Sequence, residues 1–520
     1  MSKHIPAFII TIPLLLAFLL PVIGRSAPRL RNLLALVALG MVNILIFSLI
    51  PEVFIHGKTI FYAFGAADPL MAVPEGLDFP VRILLKIDSF AMILAIVVGI
   101  VSLSSFLFSI DFIEEDSRKN YYTIIFFLLV AGLFGMSFTN DLFNFFVFLE
   151  LASISGGALV SFVTFKKSPP YAGFKYLLVS TLASTLFLVG VALCYAQYGS
   201  FNMNYINSVL NHSLLDKLAL IFILAALAFK AGAVPMHMWI PDTYSEAPAP
   251  ITIMLKTTGL ICLGVLFKVS FSLFGNPVPG IVNGINHLTL GWIIIILGVL
   301  SMFVGVTMAL VQHDVKRLMA YHSVSQTGYI LLGVGVGVAV YTKADGGAAF
   351  KAFGSMAMAG GIFHFINNAF YKSLLFLTSG VMEKRFGTRD LNSMIGMAHR
   401  DTFTTVIFMI GALAISGIPP FNGFASKLLI YESVYKFHPL LAIIAMFVSV
   451  MTLASFMKVF YSAFLGPRRE DLIVDKGKLP MGMGLGMLIL AVLVVLLGLF
   501  PDLVINNLVG PAISGLVNIR

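Results

Sequence analysis

A chain of 520 residues that is 59% hydrophobic and only 11% charged, with a mean hydropathy of +0.98, is excluded from the ordinary soluble class, where about 25% of residues are charged. The net charge of +9 would suit a nucleic-acid binder, but the basic residues gather in short loops between long apolar runs, which is a membrane pattern. Cys194 and Cys262 stand alone inside such runs with no C-x-x-C, so they can build neither an iron–sulfur cluster nor a zinc site and read as small core residues.

About 20 apolar residues suffice to cross a hydrocarbon core of roughly 30 Å. Fourteen such spans are predicted, near 5–24, 31–51, 86–110, 120–138, 141–165, 171–197, 217–241, 248–274, 288–311, 316–341, 352–382, 402–432, 438–465 and 480–503. The fold class is therefore an all-α polytopic membrane protein. Span 1, with Lys3 and His4 before it and Arg25 after, has the outline of a signal peptide but exceeds an apolar region of about 7–15 residues; it reads as a retained first helix. With the spans numbered in order, the odd loops hold about 18 Lys and Arg, among them Arg25, Arg29, Lys166, Lys167, Lys316, Arg317, Lys384, Arg385, Arg389, Arg468 and Arg469, against about 7 in the even loops. The positive-inside rule then makes the odd loops cytoplasmic, places both termini outside, and leaves 52–83 as an outer loop.

Spans 4–8 and 9–13 can be overlaid. Asp141 falls on Asp314, Glu150 comes one position from His322, and Phe174-Lys175-Tyr176-Leu177-Leu178 runs like Tyr371-Lys372-Ser373-Leu374-Leu375. Spans 7 and 12 are interrupted alike, at Gly232-Ala233-Val234-Pro235 and Gly417-Ile418-Pro419-Pro420. Matched breaks in two halves point to an inverted-repeat transporter whose polar path lies near mid-membrane. The predicted organisation is an N-terminal part of spans 1–3 (1–115), a first five-helix repeat (116–276), a second (280–466), and span 14 (467–520). Span 11 holds about 30 residues, some 45 Å of straight helix, with Gly360-Gly361 as its expected bend. Gly333-Val334-Gly335-Val336-Gly337 lacks nucleotide-loop spacing and reads as a close helix contact.

A charge at the bilayer centre costs at least about 2.5–3.5 kcal/mol, so ionisable groups inside spans are functional candidates. Glu150 lies about nine residues into span 5, roughly 14 Å along it; the plain alternative is a carboxyl kept protonated by a neighbouring helix. Lys230 precedes the first break, and Glu150 is its natural counter-ion, either as a switch or as a structural salt bridge. Lys256 sits less deep and has the option of snorkelling. His237, past the first break, titrates near operating pH and suits a relay between lysines, or a helix-end hydrogen bond. His364, Asn368 and Lys372 recur every four residues on one face of span 11, as proton-ordering groups or as packing. His322 beside Ser323 and Ser325 extends the series, and Lys427, after the second break, is a last protonatable site or a lysine reaching the headgroups. Asp242, Glu246, Asp314, Lys316 and Arg317 read mainly as interfacial.

Three runs resemble the antiporter-like subunits of Mrp-type sodium/proton antiporters (the D type), membrane-bound hydrogenases (the H type) and respiratory complex I (its proton-translocating members). They are Phe229-Lys230-Ala231-Gly232-Ala233-Val234-Pro235-Met236-His237-Met238-Trp239-Ile240-Pro241-Asp242 with Ser245-Glu246-Ala247-Pro248; His313-Asp314-Val315-Lys316-Arg317-Leu318-Met319-Ala320-Tyr321 with Ser325-Gln326-Thr327-Gly328-Tyr329; and Phe363-His364 with Ala369-Phe370-Tyr371-Lys372-Ser373-Leu374-Leu375-Phe376. The resemblance implies two inverted five-helix repeats with discontinuous helices 7 and 12. It implies Glu150 and Lys230 as the coupling pair, Lys256 as the central relay and Lys427 as the outer-end site. Lysine at 427, where some complex I subunits carry glutamate, fits the antiporter and hydrogenase members better. Asn368 stands where several relatives have histidine, a departure from the family's pattern that leaves the continuity of that relay open.

The sequence thus points to a proton-translocating subunit of a hetero-oligomeric membrane complex of the Mrp or hydrogenase type, with sodium exchange left open. The expected setting is a prokaryotic plasma membrane, among other integral membrane subunits, with no cofactor, no metal, no nucleic acid and no bond chemistry in the chain. The alternatives are a proton-pumping subunit of complex I (NADH dehydrogenase) and a stand-alone solute transporter with a pocket at the repeat interface.

Overall fold

The computed structural model describes residues 4–24, 27–66, 73, 80–113, 116–163, 167–275, 286–341, 347–467, 474–475 and 477–517. Arg25, Lys166, Arg468 and Arg469, and much of the segment read as an outer loop, lie outside the described residues. The chain opens with α1 (Ile5–Ile23), α2 (Pro28–Ile50) and α3 (Ser89–Phe112); between the last two, β1 (Ile60–Ala63) pairs antiparallel with β2 (Leu84–Ile87). A first group follows: α4 (Asp116–Phe138), α5 (Leu142–Val160), α6 (Ser168–Tyr198), α7 (Met203–Val209), α8 (Leu214–Ala231), α9 (Ile240–Glu246) and α10 (Ala249–Lys268). The second comprises α11 (His287–Leu310), α12 (Val315–Ala339), α13 (Ser355–Phe386), α14 (Thr402–Ser416), α15 (Asn422–Phe437) and α16 (Pro439–Val459). The chain closes with α17 (Met481–Leu499), α18 (Pro501–Val504) and α19 (Gly510–Val517).

Ten helices among the described residues are long and apolar enough to cross a membrane, so the chain is a multi-pass membrane protein. The predicted spans missing from that set are 7, 10, 11 and 12, the ones that are interrupted or diluted by polar residues. They carry Lys230, His322, His364, Lys372 and Lys427. The helices that look least like membrane spans thus hold most of the candidate site, while Glu150 and Lys256 lie on α5 and α10, which are apolar enough to cross.

Glycine spacing fixes the tightest helix pair. Gly291, Gly298 and Gly305 recur every seven residues along one face of α11. A Cβ on them would come within 2.4 Å of Ala339, 2.9 Å of Gly328 O and 2.5 Å of Ser325 N, all on α12. The Gly333-to-Gly337 run is likewise a contact surface, Gly333 and Gly337 against α13 and Gly335 against α11. Helix α13 runs uninterrupted through Gly360-Gly361, and the two glycines admit Ile430 and Val334 to close contact. Helix α10 is buried over its whole apolar length and packs against α3, α5, α8 and α13, so it joins the two groups.

Both groups share a local construction. Asp141 caps α5 by accepting the Asn144 N–H at 2.7 Å, and Asp314 caps α12 by accepting the Arg317 N–H at 2.9 Å, each satisfying a donor the helix start leaves open. Each aspartate also makes an isolated antiparallel bridge to a distant loop, to Asn202 and to Asp390. The broken helices differ from the predicted spans 217–241 and 402–432 in their second parts: α9 has 7 residues and α15 has 16.

Candidate functional site

The two breaks end in the same way. Helix α8 stops at Ala231 because Gly232 turns left-handed at φ +70°, and α14 stops at Ser416 because Gly417 does so at φ +78°; only a residue without a Cβ adopts that turn cheaply. Val234–Pro235 and Pro419–Pro420 are both cis. Protein groups take up the backbone atoms so freed. Trp239 Nε1 donates to Phe229 O at 3.1 Å, and Ser301 Oγ accepts the Val234 N–H at 2.9 Å. At the second break Lys427 Nζ donates to Ile415 O at 2.7 Å and Ser449 Oγ to Ser416 O at 3.0 Å. Irregular backbone persists at membrane depth only on that condition.

In the first group, Lys230 is buried and its Nζ donates to Ser153 Oγ at 2.5 Å. Ser153 lies three residues past Glu150 on α5, on the same face. No ion pair joins Glu150 to Lys230 among the described residues, and Glu150 Oε1 is buried with no hydrogen-bond partner. The Lys230 ammonium is held by Ser153, whose hydroxyl itself donates to Leu149 O at 2.6 Å. His237 is buried in the turn after the break with Nδ1 unpartnered, and no hydrogen bond links its ring to Lys230 or Lys256 among the described residues. Lys256 has no route to an interface. It is 4% exposed and donates to Thr327 Oγ1 of α12 at 3.2 Å, a contact that crosses between the groups.

His364 is the hub of the second group. Its Nδ1 lies 2.9 Å from Ser426 Oγ on α15, and its Nε2 lies 3.1 Å from Gln326 Oε1 on α12 and 3.2 Å from Tyr371 OH. Tyr371 OH also donates to Gln326 Oε1 at 3.2 Å. Gln326 adjoins Thr327, where Lys256 docks, and Ser426 adjoins Lys427. Lys427 donates to Ser449 Oγ at 2.9 Å and stands 4.8 Å from the centre of the Tyr329 ring, within cation–π range. Lys372 Nζ donates to Met319 O at 2.6 Å. Asn368 shares their face, yet both its amide atoms are buried and unbonded to protein. His322 turns elsewhere, its Nε2 2.8 Å from Ser455 Oγ on α16.

Lys230, Lys256, Lys372 and Lys427 are thus held by hydroxyl and carbonyl oxygens, and none has a carboxylate partner among the described residues. A lysine so held is not bound to one counter-ion, whereas breaking a buried ion pair costs about 3–5 kcal/mol. No cluster of three His, Cys, Asp or Glu among the described residues is placed to hold a metal ion.

Residues 139–452 match the family described as NADH:quinone oxidoreductase/Mrp antiporter, TM. The chain belongs to this family. Its relatives include the D-type Na(+)/H(+) antiporter subunit of Alkalihalophilus pseudofirmus, 32% identical over 75% of either chain. NADH-quinone oxidoreductase subunit N of Desulforudis audaxviator is 30% identical over 98% of both chains. Among solved structures the chain resembles one in the Mrp complex from Dietzia sp. DQ12-45-1b (TM-score 0.86, 25% identity, 99% of this chain and 98% of that one) and one in the membrane-bound sulfane sulfur reductase, an archaeal respiratory membrane complex (TM-score 0.82, 26% identity, the same coverage).

Within this antiporter-family chain, sequence reading missed the bridging groups: Ser153, Gln326, Thr327, Tyr371, Ser426 and Ser449. Serine and threonine are common in spans and usually return their hydroxyl to their own helix, as Thr257 does to Ile253 O at 2.8 Å. A usable signal was present for two of them, since Ser153 lies one turn past Glu150 and Tyr371 precedes Lys372.

Proposed function

We propose that this chain is the proton-translocating subunit of a multi-subunit membrane complex of the Mrp antiporter or energy-converting hydrogenase type, with sodium as the exchanged ion where the complex performs exchange. One observation carries the reading: four buried lysines have no carboxylate partner among the described residues, and hydroxyl, amide and imidazole groups stand between Lys256, which meets Thr327, and Lys427 beside the second break. In mechanism, charge displaced in a neighbouring subunit acts on Glu150. The balance at Lys230 shifts, and a proton moves by His237 and Lys256 toward His364 and leaves by Lys427.

We read the architecture as 14 spans, with inverted five-helix repeats at 116–276 and 280–466 and both termini on the outer side of a prokaryotic plasma membrane. The paired aspartate caps and bridges and the paired breaks support that reading, as does the arginine and lysine bias of one face. The full-length likeness to an NADH-quinone oxidoreductase subunit N supports a second reading, a pumping subunit of a complex I-type assembly.

The test is Lys230→Ala in the intact complex reconstituted into liposomes. Proton movement is expected to fall at least about a hundredfold, the scale of a lost acid–base group, with subunit composition unchanged. Transport at the wild-type rate would overturn the assignment.

A further inference from the structure

On the lysine- and arginine-rich face a cavity of about 530 Å³ is lined by Glu246, Lys316, Glu383, Thr388 and Arg389, among others. Its charged groups are unequally held. Arg389 Nη2 contacts Glu246 Oε1 at 2.8 Å and its Nε contacts Asp314 Oδ2 at 3.2 Å. Lys316 is almost wholly buried and donates to Ala247 O at 2.6 Å. Glu383, by contrast, meets Lys316 at 3.4 Å and Arg389 at 4.0 Å, so its ion contacts are the longest of the network.

Glu383 also stands at the foot of a seam. It follows Lys372 by eleven residues on α13, about three turns or 16 Å, and nearly on the same face, with Ser379 between them. Polar contacts between α12 and α13 recur from there inward: Lys316 with Glu383, Met319 O with Lys372, then Gln326 with Tyr371 and His364. Neither Glu383 nor this order of contacts enters the path from Lys230 through Lys256.

Resting on the proposed function, we propose that the α12–α13 seam is a proton inlet from the basic face into the second half of the chain, with Glu383 as its loading carboxylate. A proton from the aqueous cavity adds to the Glu383 carboxylate. The neutral acid passes it through water to the neutral amine of Lys372, which becomes an ammonium as Glu383 returns to carboxylate. Lys372 then hands the proton on through water to His364, whose Nε2 lies 3.2 Å from Tyr371 OH, and Lys372 returns to the neutral amine. Lys316, Arg389 and Arg118, which also lines the cavity, with Glu246 and Asp314 behind Arg389, set the potential at the mouth, and Lys256 acts on the path at Thr327 through its charge.

Glu383→Gln in the intact reconstituted complex is expected to cut proton movement at least about tenfold, while Glu383→Asp keeps about half, because a carboxylate is the group required. A Glu383→Gln complex that moves protons at the wild-type rate overturns the inlet and leaves the proposed function standing if Lys230→Ala is inactive. Full transport by Lys230→Ala would instead sink the function. Glu383 also contacts Lys316 and Arg389, so a second variant guards against misassembly. Thr388→Cys, treated from the basic face with a bulky impermeant thiol reagent that cannot reach the buried Cys194 and Cys262, is expected to lose transport on labelling. Undiminished transport after complete labelling would also overturn the inlet.

Discussion

Asn368 lies between His364 and Lys372 with both amide atoms buried and unbonded to protein. An unsatisfied buried polar group costs about 1–3 kcal/mol, so a position serving only to pack would gain from leucine, which has nearly the same size. Asn368→Leu is expected to stabilise the chain by about 1–2 kcal/mol, read as a higher melting temperature, and to slow proton movement several-fold. A stabilised variant that transports normally would leave the amide with no part in the path. Its neighbours were legible to different degrees. Lys230 and His364 stood out because charge and imidazole are rare in apolar runs, while Lys256 stayed ambiguous because depth along a span is blurred when its ends are uncertain. The serine at 153 carried only its place one turn past Glu150 as a signal, because what distinguishes it is an ammonium that arrives from another helix.

At the level of the helix, the seven-residue glycine spacing on α11 is a packing device that any sidewall would spoil. Gly298 faces Gly328 O and Leu332 N so closely that a Cβ would come within 2.9 and 3.0 Å, both of them backbone atoms with no rotamer to give. Gly298→Val is therefore expected to cost about 1–3 kcal/mol, the usual range for overpacking, measured as a lower melting temperature in detergent. An unchanged value would mean that the α11–α12 contact is loose. The breaks were readable from Gly and Pro alone, since those residues act on their own backbone. The lengths of the second parts were not. Helix α9 stops after Glu246 because Ala247-Pro248 leads straight into α10, whereas α15 continues to Phe437 without such a signal.

Across the molecule, Arg389 ties the first group to the second. From the loop after α13 it reaches Glu246 at the end of α9, Asp314 at the start of α12 and the Ser245 carbonyl. Arg389→Ala removes several charge-assisted hydrogen bonds at once, each weakened by partial exposure to solvent, and is expected to lower stability by about 2–3 kcal/mol in total. Denaturation of the purified complex should show the loss shrinking in high salt, because the contacts are partly exposed and screened. A loss independent of salt would point to packing instead of charge.

Class, span order, the paired interruptions and the titratable groups worth suspecting all follow from the chain itself, because hydropathy, turn chemistry and the rarity of charge in apolar runs are local properties. What holds each lysine, where Glu383 sits relative to the seam, and which residues bridge the two groups were settled only by the tertiary structure. The deciding contacts are hydrogen bonds between residues 77 and 71 positions apart, as for Lys230 with Ser153 and Lys256 with Thr327. A hydrogen bond weakens within fractions of an ångström and a few tens of degrees, and no pattern along one strand of sequence encodes such an alignment between helices.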